Sequence, residues 1–311
     1  MCDLSLLLWQ ASFDGDCHKF STGLPYSFYK AEIAQPAIED HQLLENIMTE
    51  NYGGIDAGVL TAFAANLADA AAAVTLKHFK APINIDNKLS GTGFDPVTKA
   101  DRDAESAIRA LIEARYPDHD IFGEEHGRTE KNSDFEWVLD PIDGTRAFIS
   151  GLPSWGTLIA LKYKGVPVIG VIDQPYIRER YLGWTTGASL NGKAITTRAS
   201  SGLAAATLST TDPDLFTKRE RPAFDGLLKA SRLVRYGLDC YAYAIVAAGH
   251  MDLVVESGLK PYDMMALIPV IRGAGGIATN WAGEPPGDCG RLLATGCEDI
   301  HREALEFLSK V

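Results

Sequence analysis

Cations are the scarce class in this chain. Its 311 residues carry 29 Lys and Arg against 41 Asp and Glu, a formal net charge of −12. A nucleic-acid surface needs basic patches that neutralise phosphates, so this balance argues against one. A protein this acidic that handled a phosphate ester would have to bring cations into its site. Cysteine is sparse too. Cys2, Cys17, Cys240, Cys289 and Cys297 are odd in number and show no CxxC spacing, which reads as reduced thiols rather than a disulfide framework or a zinc site. No apolar run approaches the roughly 18 residues of a membrane span. Asp3 stands ahead of the short SLLLW run, where a signal peptide carries positive charge, and Asp14, Asp16, Glu32, Glu39 and Asp40 argue against a transit peptide. The expectation is a cytoplasmic protein that touches neither nucleic acid nor membrane. Repeats and low-complexity segments are also missing.

What is there is ordinary globular material, 46% hydrophobic and 23% charged, long enough for one large domain or two smaller layers. Residues 1–52 show no sustained period and read as an N-terminal extension. Periodic sequence begins at Gly58–Phe79, Ala-rich, with Leu60, Phe63, Leu67, Ala71, Val74 and Phe79 on one face of a helix. A loop and a second helix, stopped by Pro117, follow. Strand patterns then dominate up to a hairpin turn at Asn191-Gly192. After about residue 205 short strands alternate with helices. One of these helices contains Pro269, which predicts a kink, and closes on Gly273-Ala274-Gly275-Gly276 as a C-cap. The spacing predicts an α+β half over 53–205 and an α/β half over 206–311. His250, near a helix end, reads as a capping or core histidine.

One stretch resists a purely structural reading. In EWVLDPIDGTRAF, Trp137-Val138-Leu139 is a buried strand, and Asp140 and Asp143 follow it around Pro141-Ile142, with Gly144-Thr145 next. Two acids around a proline at a strand's edge present carboxylates rather than stabilise the strand. Other acids sit at comparable places: Glu124-Glu125 after a strand, Asp101 at a helix start, Asp263 ahead of another helix. Taken singly, Asp263 is explained by capping, Glu124-Glu125 by a solvated pair, and Asp101 equally by capping. Gathered in one pocket, they would raise one another's pKa unless a cation sat among them, and Mg²⁺ suits an all-oxygen set. The Ile142 carbonyl adds an oxygen. The backbone N–H groups of Gly144 and Thr145, at a helix start, suit a phosphate, and the Thr145 hydroxyl can orient a water. Metal-assisted hydrolysis is the chemistry this predicts. A phosphorylated-aspartate enzyme is the rival, but its two acids are separated by one residue rather than two.

FGEEHG, WVLDPIDGTRAF and KPYDMMALIPVIRGAGG, in this order, resemble the inositol monophosphatase family over about residues 58–310. The resemblance implies an α/β fold layered αβαβα, a homodimer, two or three Mg²⁺ ions and a small phosphate ester as substrate. It implies Glu124, Asp140, the Ile142 carbonyl, Asp143 and Asp263 as metal ligands. Glu124, Thr145 and Asp101 are then the catalytic group, and Gly144 and Thr145 the phosphate holders. Arg146 after Asp-Gly-Thr, with GLDCYAYAIVAAGHMDLVVESGLKPYD, is similar to the histidinol-phosphatase branch. That likeness implies Arg146, Asp239 and Glu256 as substrate contacts, the two acids meeting a cationic substrate. Leu238 departs from the Gly-Gly-Asp of that branch. The alternatives left open are another ester (inositol 1-phosphate, fructose bisphosphate, an adenosine bisphosphate) and a catalytically silent binding protein.

Overall fold

The computed structural model describes residues 50–82, 85–88, 96–287 and 290–311. Of the extension expected over 1–52, residues 1–49 lie outside the described part, as do Cys2, Cys17 and Cys289. Strands β1 (Asn51–Tyr52) and β2 (Ile55–Asp56) form a small hairpin that leads into helix α1 (Ala57–His78). The Asp56 side chain caps α1 by accepting from the Val59 N–H at 3.1 Å. Strands β3 (Ile85–Asn87) and β4 (Pro96–Thr98) pair antiparallel where a loop was expected, and α2 (Lys99–Arg115) follows. Helix α2 ends at Tyr116, ahead of Pro117.

A large sheet comes next: β5 (Asp120–Gly123), β6 (Gly127–Thr129), β7 (Phe135–Asp143), β8 (Gly156–Tyr163), β9 (Val166–Gln174), β10 (Glu179–Trp184), β11 (Gly187–Leu190) and β12 (Lys193–Ala194). Helix α3 (Thr145–Ile149) interrupts it after β7. The eight strands run in the order β12-β11-β10-β9-β8-β7-β5-β6, antiparallel except for β5 beside β7. Asn191 and Gly192 both take positive φ, as a two-residue hairpin loop requires, and bear out the expected turn. The rest of the chain supplies β13 (Thr207–Thr210), α4 (Arg221–Ala230), β14 (Leu233–Tyr236), α5 (Cys240–Ala247), β15 (Leu253–Glu256), α6 (Pro261–Met264), α7 (Leu267–Gly273), β16 (Ile277–Thr279), β17 (Leu292–Thr295) and α8 (Glu298–Leu308). Its five strands run β14-β13-β15-β17-β16, with β13 parallel to both neighbours.

The layers follow from which faces are apolar. Helices α1 and α2 cover one face of the large sheet, burying Leu60, Leu67 and Ile108 against Trp137, Ile159 and Ile169. Helices α5 and α7 fill the space between the sheets, where Tyr243, Leu267 and Ile271 meet Leu158 and Ile172 on one side and Val254 and Leu292 on the other. Helices α4 and α8 close the far face over Leu208, Leu253 and Leu293. The result is the expected αβαβα sandwich.

Two expectations need correction. Helix α1 is long and apolar enough to cross a membrane by length and composition, so the statement that no run approaches that length fails. Its buried face packs on α2 and on β8 and β9, which is the situation of a core helix. The disruption expected of Pro269 appears one turn before it: the backbone stays helical at Met265 and Ala266, but the helix is interrupted there between α6 and α7, where the Met265 carbonyl has no N–H of Pro269 to accept from. His250 is exposed, and its backbone N–H, rather than its ring, bonds to Ile245 O at 3.0 Å at the end of α5.

The middle layer presses hard on the large sheet. A Cβ at Gly170 would overlap the Ala266 carbonyl, and one at Gly183 would overlap the backbone of Val270. Those two glycines let α7 lie directly on β9 and β10.

His301 gives the outer layer a titration. It is buried, and its ring nitrogens lie 3.0 and 3.1 Å from the Thr279 and Thr295 hydroxyls. Burial lowers its pKa to about 4. The neutral ring is favoured in the fold, so this contribution is fully present above the ordinary histidine range. It is lost as the pH falls from about 6.5 towards 4. We expect the difference in unfolding free energy between wild type and His301→Gln to shrink by about 2–3 kcal/mol between pH 7 and pH 4. Urea titrations at the two pH values measure this, and a constant difference would show that the ring titrates normally.

Candidate active site

The acids converge because β7 does not end where its pattern stops. Asp140 pairs with Leu158 and Asp143 with Gly156, with a shift of register between them. The turn expected after the strand is a β-bulge inside it. Pro141, which has no N–H to donate, sits in the bulge, and its carbonyl accepts from the Thr157 hydroxyl at 2.8 Å. The bulge turns Asp140 and Asp143 towards the same cavity. Gly144 (φ 79°, ψ 41°) then reverses the chain into the five residues of α3.

Each carboxylate is pinned by backbone. Asp140 accepts from the Ile142 N–H at 3.0 Å. Asp143 accepts at 2.7 Å from the N–H of Cys240, the first residue of α5. Asp263, in the first turn of α6, accepts from the Lys260 N–H at 2.6 Å. So the capping explanation for Asp263 holds, and its position in the cavity holds with it. One oxygen from each of Asp140, Asp143 and Asp263 falls within 4.8 Å of the others. Glu124 stands just beyond β5. Its N–H bonds to Leu139 O at 3.1 Å, and its carboxylate lies near enough to Asp140 to raise the latter's pKa and is ion-paired with Lys88 at 2.8 Å.

Burial, then the neighbouring carboxylates Glu124, Asp143 and Asp263, pushes Asp140 well above the usual carboxylate range. Burial does the same to Asp143, helped by Asp239 and Asp263. Asp263 is pushed up to about 7, again chiefly by burial. Several acids at such mutual distances, with raised pKa values and oxygen donors only, are the donor set of a hard divalent cation.

Most of the residues singled out from sequence line one cavity of about 360 Å³: Glu124, Asp140, Ile142, Asp143, Gly144, Thr145, Arg146, Asp239, Glu256 and Asp263. The Thr145 hydroxyl donates to the Ile142 carbonyl at 3.1 Å. Asp101 is not on that wall. It is the third residue of α2, and one of its carboxylate oxygens accepts from the Thr98 N–H at 2.9 Å and the Thr98 hydroxyl at 2.5 Å. The capping explanation, left level with the catalytic one, accounts for that carboxylate.

Next to the cluster, Asp239 has φ 49°, unusual for a residue with a side chain, and its carboxylate lies against Gly144, where a Cβ would come within 2.9 Å. Burial and Glu256 raise its pKa to about 7, while Arg146 pulls it down. Glu256 is largely spent inside the protein: Thr211 donates both its N–H, at 2.9 Å, and its hydroxyl, and the Tyr243 hydroxyl donates at 2.9 Å. Arg146 approaches Asp212 at 3.9 Å.

Sequence reasoning missed Lys88, Lys260, Thr211 and Tyr243. Thr211 reaches Glu256 because β13 and β15 are parallel neighbours whose carboxyl ends meet at the cavity, and pairing of distant strands leaves no local mark. Tyr243 lies three residues beyond Cys240 on α5, so helical spacing could have flagged it.

A two-sheet αβαβα sandwich with converging carboxylates on a bulged strand defines a metal-type hydrolase architecture. The comparisons agree with this class and make it specific. The inositol monophosphatase family pattern matches residues 56–307, and the chain belongs to the inositol monophosphatase family of phosphatases. It is 44% identical over 278 residues to the chloroplastic bifunctional phosphatase IMPL2 of Arabidopsis thaliana, covering 85% of this chain and 80% of that protein. It is 36% identical over 223 residues to a histidinol-phosphatase of Chlorobaculum parvum, covering 71% and 85%. Among solved structures it is similar to an inositol monophosphatase from Zymomonas mobilis, with a TM-score of 0.73, 44% identity and coverage of 80% and 96%.

Without a cation the cluster is a cost to the fold. Asp263 and Asp239, with pKa values of about 7, favour the protonated form in the folded chain. Their contribution is fully present below the ordinary carboxylate range and is lost as the pH rises through about 7. We expect the chain in EDTA to lose a few kcal/mol between pH 6 and pH 8 and Mg²⁺ to restore it. Thermal unfolding with and without Mg²⁺ reads this. Equal midpoints in EDTA at the two pH values would mean that the acids do not repel.

Proposed function

We propose that this chain hydrolyses a phosphomonoester with Mg²⁺ bound, and that its substrate is L-histidinol phosphate, released as L-histidinol and phosphate in histidine biosynthesis. The observation that carries the reading is a single cavity that holds the Asp140, Asp143 and Asp263 cluster and, beside Asp143 and Gly144, the further acid Asp239. Glu124, Asp140, the Ile142 carbonyl, Asp143 and Asp263 would hold two or three ions. When bound, Mg²⁺ supplies Lewis acidity towards the phosphoryl oxygens and the attacking water.

The remaining steps belong to the chain's own residues. Thr145 gives its hydroxyl proton to Ile142 O, so its lone pairs are left to accept from the attacking water and aim it. Glu124, beside that position, takes the water's proton. Gly144 and Thr145, where α3 begins, face the phosphate with backbone N–H groups. Asp101 enters as a buried negative charge near Glu124.

Histidinol phosphate carries an ammonium group and an ionisable imidazole. Burial and Glu256 raise Asp239 to about 7 against the opposing pull of Arg146, and an ammonium group beside it would draw it to the anionic form. Glu256, committed to Thr211 and Tyr243, adds negative potential and wall shape rather than a direct bond. The histidinol-phosphatase names among the relatives support this substrate. The likeness to the Zymomonas enzyme supports the second reading, inositol 1-phosphate or another small ester handled by the same chemistry. The reading includes a homodimer and a cytoplasmic location, with the chloroplast as the alternative that IMPL2 raises.

The test is phosphate release with Mg²⁺ from L-histidinol phosphate and from inositol 1-phosphate. We expect a clear preference for the first, and less than about a tenth of wild-type turnover for Asp140→Asn on either. Asp239→Asn should raise KM for histidinol phosphate about 10- to 100-fold and leave the inositol ester unaffected. Equal rates on the two esters would sink the substrate assignment and leave the metal site standing.

A further inference from the structure

Glu105 and Arg109 lie one turn apart on α2, outside the cavity, with Glu105 wholly inaccessible and Arg109 8% exposed. They form an ion pair at 2.7 Å. A buried pair of this kind rarely adds net stability, because desolvation consumes the Coulombic gain. Here the pair has further partners, and all of them are in one place. Glu105 accepts from the Glu125 N–H at 2.7 Å with one oxygen and from the His126 N–H at 3.2 Å with the other. Arg109 donates to the Gly127 carbonyl and, at 3.1 Å, to the Thr129 hydroxyl. Gly123 makes room for this, since a Cβ there would overlap the Glu105 carboxylate.

The pair therefore grips the β5–β6 turn from both sides, the carboxylate holding its N–H groups and the guanidinium its oxygens. That turn carries Glu124. On its other side the Glu124 N–H is tied to Leu139, the residue before Asp140. Helix α2 also carries Asp101, one turn before Glu105.

We propose that Glu105, held by Arg109, is a positioning residue for the metal site, fixing the turn so that the Glu124 carboxylate meets Asp140. The proposal rests on the metal-phosphatase reading above and deepens it. The turn has other ties, from Leu139 O to the Glu124 N–H, from Lys88 to the Glu124 and Glu125 carboxylates, and from the His126 ring to Ser106 and the Arg102 carbonyl, but the buried pair holds its backbone on both sides, and a metal ligand needs that precision.

The test uses the full chain and Glu105→Gln. The substitution keeps the shape, but its amide can accept from fewer N–H groups and turns a donor towards Arg109 or the turn. In the metal-free protein we expect amide hydrogen exchange to quicken about tenfold or more over residues 124–127, with the peptides of α2 and β7 unchanged. Mn²⁺ affinity, read by electron paramagnetic resonance, should fall about 10- to 100-fold. The Mg²⁺ concentration for half-maximal phosphate release should rise to match, and turnover at saturating Mg²⁺ should return to within a few-fold of wild type. Unchanged Mn²⁺ affinity would overturn the proposal. So would a loss of activity equal at every Mg²⁺ concentration with exchange raised throughout, since that is the signature of simple destabilisation. If Glu105→Gln does not fold, Arg109→Lys, which keeps the charge and loses the fork, is read by the same two measurements. Wild type that binds Mn²⁺ normally but releases no phosphate from any ester would defeat the phosphatase reading alone, with exchange and Mn²⁺ affinity still deciding the role of Glu105.

Discussion

Repulsion among buried carboxylates is the constraint on which the rest of this molecule depends. Asp140, Asp143 and Asp263 bring oxygens within 4.8 Å of one another, and Glu124 and Asp239 crowd the same space. Left to itself, such a group would swing apart or take up protons. The fold prevents the swing by giving each carboxylate a backbone N–H from a different place: Ile142 within the bulge, Cys240 at the start of α5, Lys260 ahead of α6. These donors come from the large sheet, from the first residue of α5 in the layer between the sheets, and from the connection that leads from β15 into α6. The cluster can exist only if the layers are locked together, and the glycines at 170 and 183 that let α7 touch the large sheet serve that end.

The same view explains why the acids sit on irregular backbone. A regular strand would send Asp140 and Asp143, three apart, to opposite faces. The bulge at Pro141-Ile142 cancels that alternation. It also turns the Ile142 carbonyl to where Thr145 reaches it. The proline suits such a place because its missing N–H leaves no ladder bond unmade. A motif that looks like a turn in one dimension is, in the fold, a strand bent at the single point where bending gathers three oxygen donors.

What could be read from the sequence divides along this line. Local signals were legible: the helix at Ala57–His78, the stop before Pro117, the Asn191-Gly192 hairpin, and the acids beside glycine and proline. The layered sandwich and the metal-type acids came from motifs in order, which carry more than periodicity does. Other features depend on which distant segments touch. The pairing of β13 with β15 puts Thr211 on Glu256, and it turns a presumed substrate acid into one occupied internally. Lys88 lies in a polar stretch with nothing to mark its 2.8 Å pairing with Glu124. Asp101 was evenly balanced between capping and chemistry, and only the bonds to Thr98 tip it towards capping. Helix α1 escaped notice as a span-length apolar segment because Asn66 and Asp69 break its run, although its composition over a full window does not change.

The acids of the cavity differ in what holds them. Asp140, Asp143 and Asp263 are each fixed by a backbone donor. Asp239, beside them, is held at φ 49° between Gly237 and α5, on a connection rather than a strand. Its charge is set by a balance between burial and Glu256 on one side and the guanidinium of Arg146 on the other. Changing Arg146 or Asp239 would alter which charge the wall presents without touching a cluster oxygen. On the function proposed above, residues 146 and 239 are where substrate choice would change, while Asp140, Asp143 and Asp263, each tied to its own backbone N–H, stay where they are.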